Sequence, residues 1–293
     1  MTAFILCILC TGGIFLVFRL YKTLDINTPM AIVVNYAVAG TLGWYLAGGI
    51  DAMVYAYNQP WFYINVALGV CFLTLFNLIA TCTKEMGVAV ASISTKLSMI
   101  IPVAVFIAVF PDDNLTLEKG IAITLAIVSI FLTTGGAYKK STSKWAFALP
   151  VIIFIGSGII DLDFGYFSSQ LESDSNMMAF TSVPFTVAFI WGLLMRINTK
   201  HRHTPSAKDV AGGLLLGVVN FGSLFFLLTA YETSGLDKSS LIPAVNIGVV
   251  IFSTLGAIVL FKEKPSTRTW IGLALGCSSI AILLAYNTKE LIS

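Results

Sequence analysis

The sequence predicts an all-α membrane protein with ten transmembrane helices, arranged as two inverted five-helix repeats. Three observations predict this fold. Of the 293 residues, 57% are hydrophobic and only 11% are charged, whereas soluble domains carry about 25% charged residues. The apolar residues form ten long runs. The two halves of the chain also match each other at a nearly constant offset.

Each apolar run is long enough for a bilayer-crossing helix, since about 20 residues span the hydrocarbon core. The runs are mostly non-alternating, whereas the strands of a membrane barrel have about ten residues and a period of two. Charged residues, prolines and turn formers separate the runs. The predicted spans are 2–19, 28–48, 60–82, 88–110, 116–137, 145–168, 176–196, 208–231, 237–261 and 266–286.

An internal repeat relates residue n to residue n+148, and after a gap of four residues to n+152. It divides the chain into residues 1–140 and 145–288, with five predicted helices in each. Because five is odd, the second half must enter the membrane from the opposite side, which is an arrangement found in secondary transporters. The matches include Met30-Ala31 with Met178-Ala179, Leu68-Gly69-Val70 with Leu216-Gly217-Val218, and Gly120 with Gly272.

The distribution of basic residues supports the helix count. Thirteen of the 17 Lys and Arg residues fall in the loops that follow odd-numbered helices. The opposite side holds only Lys119, Lys238 and Lys289, together with most of the acids, including Asp113 and Asp237. The positive-inside rule therefore predicts cytoplasmic odd loops and outside termini. We expect a multi-pass protein of the inner cell membrane.

A junction near the C-terminus resembles a known family. Phe261-Lys262-Glu263-Lys264, followed by Trp270-Ile271-Gly272, resembles the F-x-E-x … W-I-G junction of EamA-like permeases in the drug/metabolite transporter superfamily. Phe110, Asp112, Asp113 and Gly120 form a degenerate counterpart in the first half. The resemblance implies an alternating-access carrier of a small polar metabolite or amino-acid-like compound, more often exported than imported. Relatives usually place both termini in the cytosol, opposite to the orientation that the charges predict here.

Lys96 is the clearest candidate for a functional residue. It lies about nine residues into the fourth predicted helix, too deep to reach the headgroups easily. Burying a charge in a bilayer costs several kcal/mol, so intramembrane ionisable residues are candidates for substrate or proton binding. The alternative is a structural ion pair between helices.

Two acidic residues lie in the sixth predicted helix. Asp161 and Asp163 point about 200° apart, so only one can face a given cavity. Asp161 shares a small, polar stripe with Ser157, and we predict that it pairs with Lys96 in a substrate-binding or coupling site. Asp163 is expected to make a separate polar contact.

Amides, one tyrosine and two prolines complete the predicted site. Buried asparagines bind polar cargo or join helices, and prolines bend helices next to cavities. Glu263 is read as a structural or gating salt-bridge residue. The predicted binding residues are Asn35, Asn220, Asn246 and Tyr36, and the predicted bends are Pro102 and Pro243.

Other functional classes have little support. The sequence has no H-E-x-x-H or G-x-S-x-G motif and no clustered Asp and His residues, so no enzyme, metal or cofactor is predicted. No basic cluster is interleaved with aromatics, which argues against nucleic-acid binding. The predicted partners are a small-molecule substrate and the lipid bilayer, and the predicted state is a monomer or weak homodimer. A membrane sensor or scaffold that retains the carrier fold is the alternative.

Overall fold

The computed structural model describes residues 1–86, 94–110, 113–134, 148–171, 173–197, 205–262 and 265–290. These residues are helical almost throughout. The helices are α1 (Thr2–Leu24), α2 (Thr28–Ala47), α3 (Ile50–Tyr57), α4 (Phe62–Met86), α5 (Ile100–Val109), α6 (Leu117–Thr134), α7 (Ala148–Phe167), α8 (Asp174–Ile197), α9 (Ala207–Thr233), α10 (Lys238–Phe261) and α11 (Thr267–Glu290).

Eight helices in the described residues are long and apolar enough to cross a membrane. They are α1, α2, α4 and α7 to α11, and each coincides with a predicted span. The predicted span 88–110 is described only as the shorter apolar helical segment Ser94–Val109, and the span 116–137 corresponds to α6. The chain is therefore a multi-pass, all-helical membrane protein, while the count of ten crossings and their inverted repetition remain predictions.

The short helix α3 was not predicted from the sequence. Gly48 ends α2 in the left-handed region (φ 108°), and Gly49, also at positive φ (70°), precedes α3. Glycine adopts such angles without the steric cost of a Cβ. Ala52 and Ala56 are buried, and α3 packs against α8. Contact with a distant helix therefore stabilises this eight-residue helix.

Local capping fixes where two of the long helices begin. The Asn27 side chain accepts a hydrogen bond from the Met30 N–H at the start of α2. At the start of α9, Ser206 and Asp209 form a reciprocal capping box, which satisfies N–H groups that lack helical partners. The second oxygen of Asp209 accepts the Asn27 N–H at 2.8 Å, so one carboxylate serves both helix starts.

The chain forms two compact units. Unit A contains Leu75–Tyr166 and Ala230–Ser293 together with Met1, and unit B contains Thr2–Thr74 and Phe167–Thr229. In unit A, α6 and α11 pack along one another. Their buried serines bond reciprocally: Ser129 donates to the Gly272 carbonyl and Ser279 donates to the Ala122 carbonyl, each at 2.7 Å.

In unit B, α2 packs against α8 and also against α9. Glycines allow the second contact. A Cβ on Gly213 would lie 2.8 Å from the Ala31 carbonyl oxygen, and one on Gly217 would lie 2.8 Å from that of Asn35. This G-x-x-x-G face, a close-packing signature, is therefore used within the chain.

Candidate functional site

Lys96 lies in the helical segment before α5, where it is only 9% exposed. Its Nζ donates a hydrogen bond to Oδ1 of Asn246, in α10, at 3.1 Å. The structure thus brings together two residues that the sequence singled out separately, 150 positions apart. An amide oxygen satisfies one ammonium donor without cancelling its charge, so this contact leaves a positive centre among the helices of unit A.

A turn at Ser98 and Met99 separates the helical segment that carries Lys96 from α5, whose first turn contains Pro102. The Met99 N–H bonds to the Lys96 carbonyl and the Ile101 N–H bonds to the Ser98 carbonyl, which are i→i+3 contacts of a tightened turn. Proline has no N–H to continue the α-helical pattern. The buried Pro102 therefore lies just after this tightened turn, on the C-terminal side of Lys96.

A glycine brings α7 close to this broken turn. A Cβ on Gly158 would lie 3.0 Å from the Ser98 carbonyl oxygen and 2.6 Å from Cδ1 of Ile101. Asp161 lies one turn further along the same side of α7, and its carboxylate interacts electrostatically with Lys96. Ser157 is half-buried. Unit A thus places Lys96 and Asn246 in direct contact, with Asp161 near enough to interact with Lys96 electrostatically.

Asp163 lies outside this arrangement. It is buried, and within the described part of the chain its Oδ2 has no hydrogen-bond partner. A buried carboxylate oxygen without a partner is costly, since the interior does not replace its hydration. The separate polar contact that the sequence predicted for Asp163 is not found for this oxygen.

Unit B contains three of the predicted binding residues, Asn35, Asn220 and Tyr36. Nδ2 of Asn220, in α9, donates to Oδ1 of Asn35, in α2, at 3.1 Å, so the two amides join the helices that the glycines bring together. Tyr36 is completely buried, and its ring centroid lies 6.2 Å from that of Phe185. This pair of amides is compatible with both roles that the sequence left open, which are the binding of cargo and the joining of helices.

The two remaining predicted residues have different outcomes. Pro243 lies buried inside α10, one turn before Asn246, so a proline occurs on each helix that contributes to the Lys96–Asn246 bond. Glu263 lies outside the described residues, and its predicted salt bridge cannot be placed. Among the described residues, no three His, Cys, Asp or Glu side chains group as metal ligands would.

Sequence reasoning missed a buried ion cluster. Lys119, Asp113 and Asp237 were interpreted as loop charges, yet Lys119 is completely buried and bonds to both carboxylates. A signal was available, because Asp113 belongs to the degenerate junction motif of the first half. The motif did not show which cation Asp113 would meet.

Residues 149–285 match the EamA-like transporter family. This part of the chain belongs to that family. The family lies within the drug/metabolite transporter superfamily, so the predicted resemblance is confirmed. The match covers the helices that carry Asp161, Asn220 and Asn246.

Two relatives and one solved structure extend the comparison. An uncharacterised protein of Haemophilus influenzae is 26% identical over 292 residues, covering 95% of this chain and 96% of the relative. RbsU of Latilactobacillus sakei, provisionally named a ribose uptake protein, is 23% identical over 177 residues, 58% of this chain and 57% of its own. A protein of known crystal structure matches 99% of both chains with a TM-score of 0.75 at 13% identity, a likeness of fold alone.

Proposed function

We propose that this protein is a secondary-active carrier in the inner cell membrane that exports a small polar metabolite or amino-acid-like compound. Membership of residues 149–285 in a transporter family supports the general class. The observation that carries the specific proposal is the buried Lys96 ammonium, held by the Asn246 amide and facing the Asp161 charge. The protein is proposed to need no cofactor and to catalyse no reaction.

The Lys96 centre suits a cargo that carries a carboxylate or several hydroxyl groups. Lys96 has three N–H donors, and an anionic cargo would compensate the positive charge of this side chain. Asp161 would in turn attract the amino group of an amino-acid-like compound. The provisional ribose uptake name of one relative makes pentoses the second class of cargo to test.

The transport cycle is proposed to use alternating access. The prolines next to the centre, Pro102 in α5 and Pro243 in α10, would allow these helices to bend without losing further backbone hydrogen bonds. A proton on Asp161 would remove the attraction of its carboxylate for Lys96 and so release Lys96 for the cargo. Such exchange would couple export to proton entry.

The close-packing glycines support a monomeric carrier or a weak homodimer. Gly213 and Gly217 contact α2 of the same chain. Gly272 and Gly276 contact residues of α6 and α10. These faces are therefore already occupied and do not require a second copy.

Flux into and out of proteoliposomes tests the proposal, with radiolabelled amino acids and pentoses as cargo and an imposed pH gradient. Candidate cargoes are first selected by thermal shift, because a compound at 100 times its Kd stabilises by about 2.7 kcal/mol. Lys96→Met is expected to reduce flux by at least about ten-fold in correctly inserted protein. Asp161→Asn is expected to retain binding but to lose acceleration by the pH gradient.

Lys208→Met is the matched control. Lys208 pairs with Asp25 at 3.6 Å, but both side chains are largely exposed, so its loss is expected to leave flux unchanged. Normal transport by both Lys96→Met and Asp161→Asn would disprove the site. Absence of flux with every cargo would instead favour a sensor or scaffold with the carrier fold.

A further inference from the structure

The N-terminal end of α10 is held by a buried ion cluster, Asp113, Lys119 and Asp237, which we call the α10 latch. Lys119 has no exposed surface, and its Nζ donates to Oδ1 of Asp113 at 2.7 Å and to Oδ2 of Asp237 at 2.8 Å. Charges that are paired inside the protein in this way do not contribute to its solubility. Removing one partner of a buried pair leaves an uncompensated charge, so the latch is strongly coupled.

Asp113 also supplies the cap that α10 does not make for itself. Asp237 precedes α10, and its side chain forms no capping hydrogen bond because one of its oxygens faces Lys119. Instead Asp113 accepts the Ser239 N–H at 2.8 Å and the Ser239 hydroxyl group. A carboxylate at this end also complements the helix dipole. The segment before α6 therefore fixes the first turn of α10.

A second attachment holds the same turn to α7. Nζ of Lys238 donates to the Gly165 carbonyl at 2.7 Å and lies 4.3 Å from the centre of the Phe110 ring. Gly165 belongs to the last turn of α7, where carbonyls lack helical donors and a cation is favourable. The first turn of α10 is thus attached to two neighbouring segments of unit A.

The attached end lies close to the functional centre along the helix. Seven residues separate Ser239 from Asn246, about 10 Å at 1.5 Å per residue. Pro243 lies between them and cannot donate to the Ser239 carbonyl. The first turn of α10 is therefore bonded less tightly to the turn that carries Asn246 than it would be in a helix without proline.

We propose that Asp113 and Lys119 are positioning residues for the carrier, because their latch holds the first turn of α10 and so sets where Asn246 meets Lys96. This inference rests on the proposed transport function. With the latch closed, Asn246 holds Lys96. Opening the latch lets α10 bend at Pro243 and withdraws the amide from Lys96.

Transport kinetics per folded molecule test the positioning role. Lys119→Met is expected to raise the KM for the cargo by about ten-fold, since the cargo then meets a displaced Lys96–Asn246 pair. Lys119→Arg keeps the charge and is expected to restore KM to within about two-fold of the parent. If Lys119→Met fails to fold, Asp237→Asn replaces it. The half-buried Asp237 forms one of the two ion pairs of Lys119, and its substitution leaves the pair between Lys119 and Asp113 intact.

A cargo-independent measurement separates this proposal from the proposed function. Ser240 is buried, and within the described residues its hydroxyl has no hydrogen-bond partner, so Ser240→Cys is a mild probe. Labelling by a membrane-impermeant maleimide, in right-side-out and inside-out vesicles, is corrected for the five native cysteines. We expect Lys119→Met or Asp237→Asn to raise the labelling rate about ten-fold from one side.

The outcomes are distinct. Absence of flux in the parent protein, with faster labelling in the latch variants, would reject the carrier function and retain the latch. Unchanged KM and unchanged labelling, with only a lower yield of folded protein, would show that the cluster is structural and would overturn the proposal. Lys208→Met, which removes the exposed pair with Asp25, is expected to behave as the parent in both measurements.

Discussion

The close contact of α9 with α2 makes Gly217→Ala a decisive perturbation. The new Cβ would lie 2.6 Å from Cβ of Val38 and 2.8 Å from the Asn35 carbonyl oxygen. Unstrained carbon atoms stay about 3.5–4.0 Å apart. Both contacted atoms are backbone atoms or are bonded directly to the backbone, so no side-chain rotation relieves the overlap. The two helices must separate by about 1 Å.

The expected cost follows from three terms. Overpacking costs about 1–3 kcal/mol. Separation also weakens the bond between Asn220 and Asn35, and such interhelical bonds contribute about 0.6 kcal/mol on average. Alanine is a better helix former than glycine by about 1 kcal/mol, which offsets part of the loss. We therefore expect a net destabilisation of about 0.6–2.6 kcal/mol.

Gly120→Ala is the matched control for this measurement. A Cβ on Gly120 would meet nothing within 4 Å, so this variant should be stabilised by up to about 1 kcal/mol. Thermal unfolding of the purified proteins in detergent, followed by tryptophan fluorescence, compares both with the parent. A Gly217→Ala protein as stable as the parent, or equal losses in the two variants, would refute the packing argument.

Three further predictions concern other contacts. Ser129→Ala and Ser279→Ala each remove one of the two hydrogen bonds between α6 and α11. Each should cost about 0.6 kcal/mol, and the double variant about 1.2 kcal/mol. A double variant with the thermal stability of the parent would contradict this. Pro243→Ala restores a backbone donor inside α10 and should raise stability by up to about 3 kcal/mol while slowing flux several-fold, so parental flux would show that the bend is not used. Asp209→Ala removes bonds to two N–H groups and one hydroxyl and should cost about 2–4 kcal/mol. Asp25→Asn removes a fully exposed charge and keeps a residue type that tolerates the left-handed backbone there, so it should unfold at the parental temperature.

The membrane helices were predictable because the bilayer imposes a condition on each segment separately. A span must be apolar for about 20 residues whatever surrounds it, and the eight observed spans coincide with predicted ones. The start of α2 is also determined by local sequence, since Asn27, Thr28 and Pro29 carry the capping signal within three residues. α3 was missed because its buried Ala52 and Ala56 depend on packing against other helices, including α8, which no local pattern of eight residues reveals.

The candidate site was predictable as a set of residues but not as a set of contacts. Lys96, Asp161 and Asn246 stand out in the sequence because polar groups are rare in apolar runs. Their partners depend on the rotation of each helix about its axis, and close contacts at positions such as Gly158 set that rotation.

By itself, the sequence determined that the chain is an all-helical membrane protein and which few polar residues it buries there. Only the tertiary structure decided that Lys96 meets Asn246 and that Lys119 is a buried ion-pair partner instead of a surface charge. The physical reason is that hydropathy acts residue by residue. A hydrogen bond or ion pair between positions 150 or 118 residues apart exists only after packed helices fix both side chains within about 3 Å of each other.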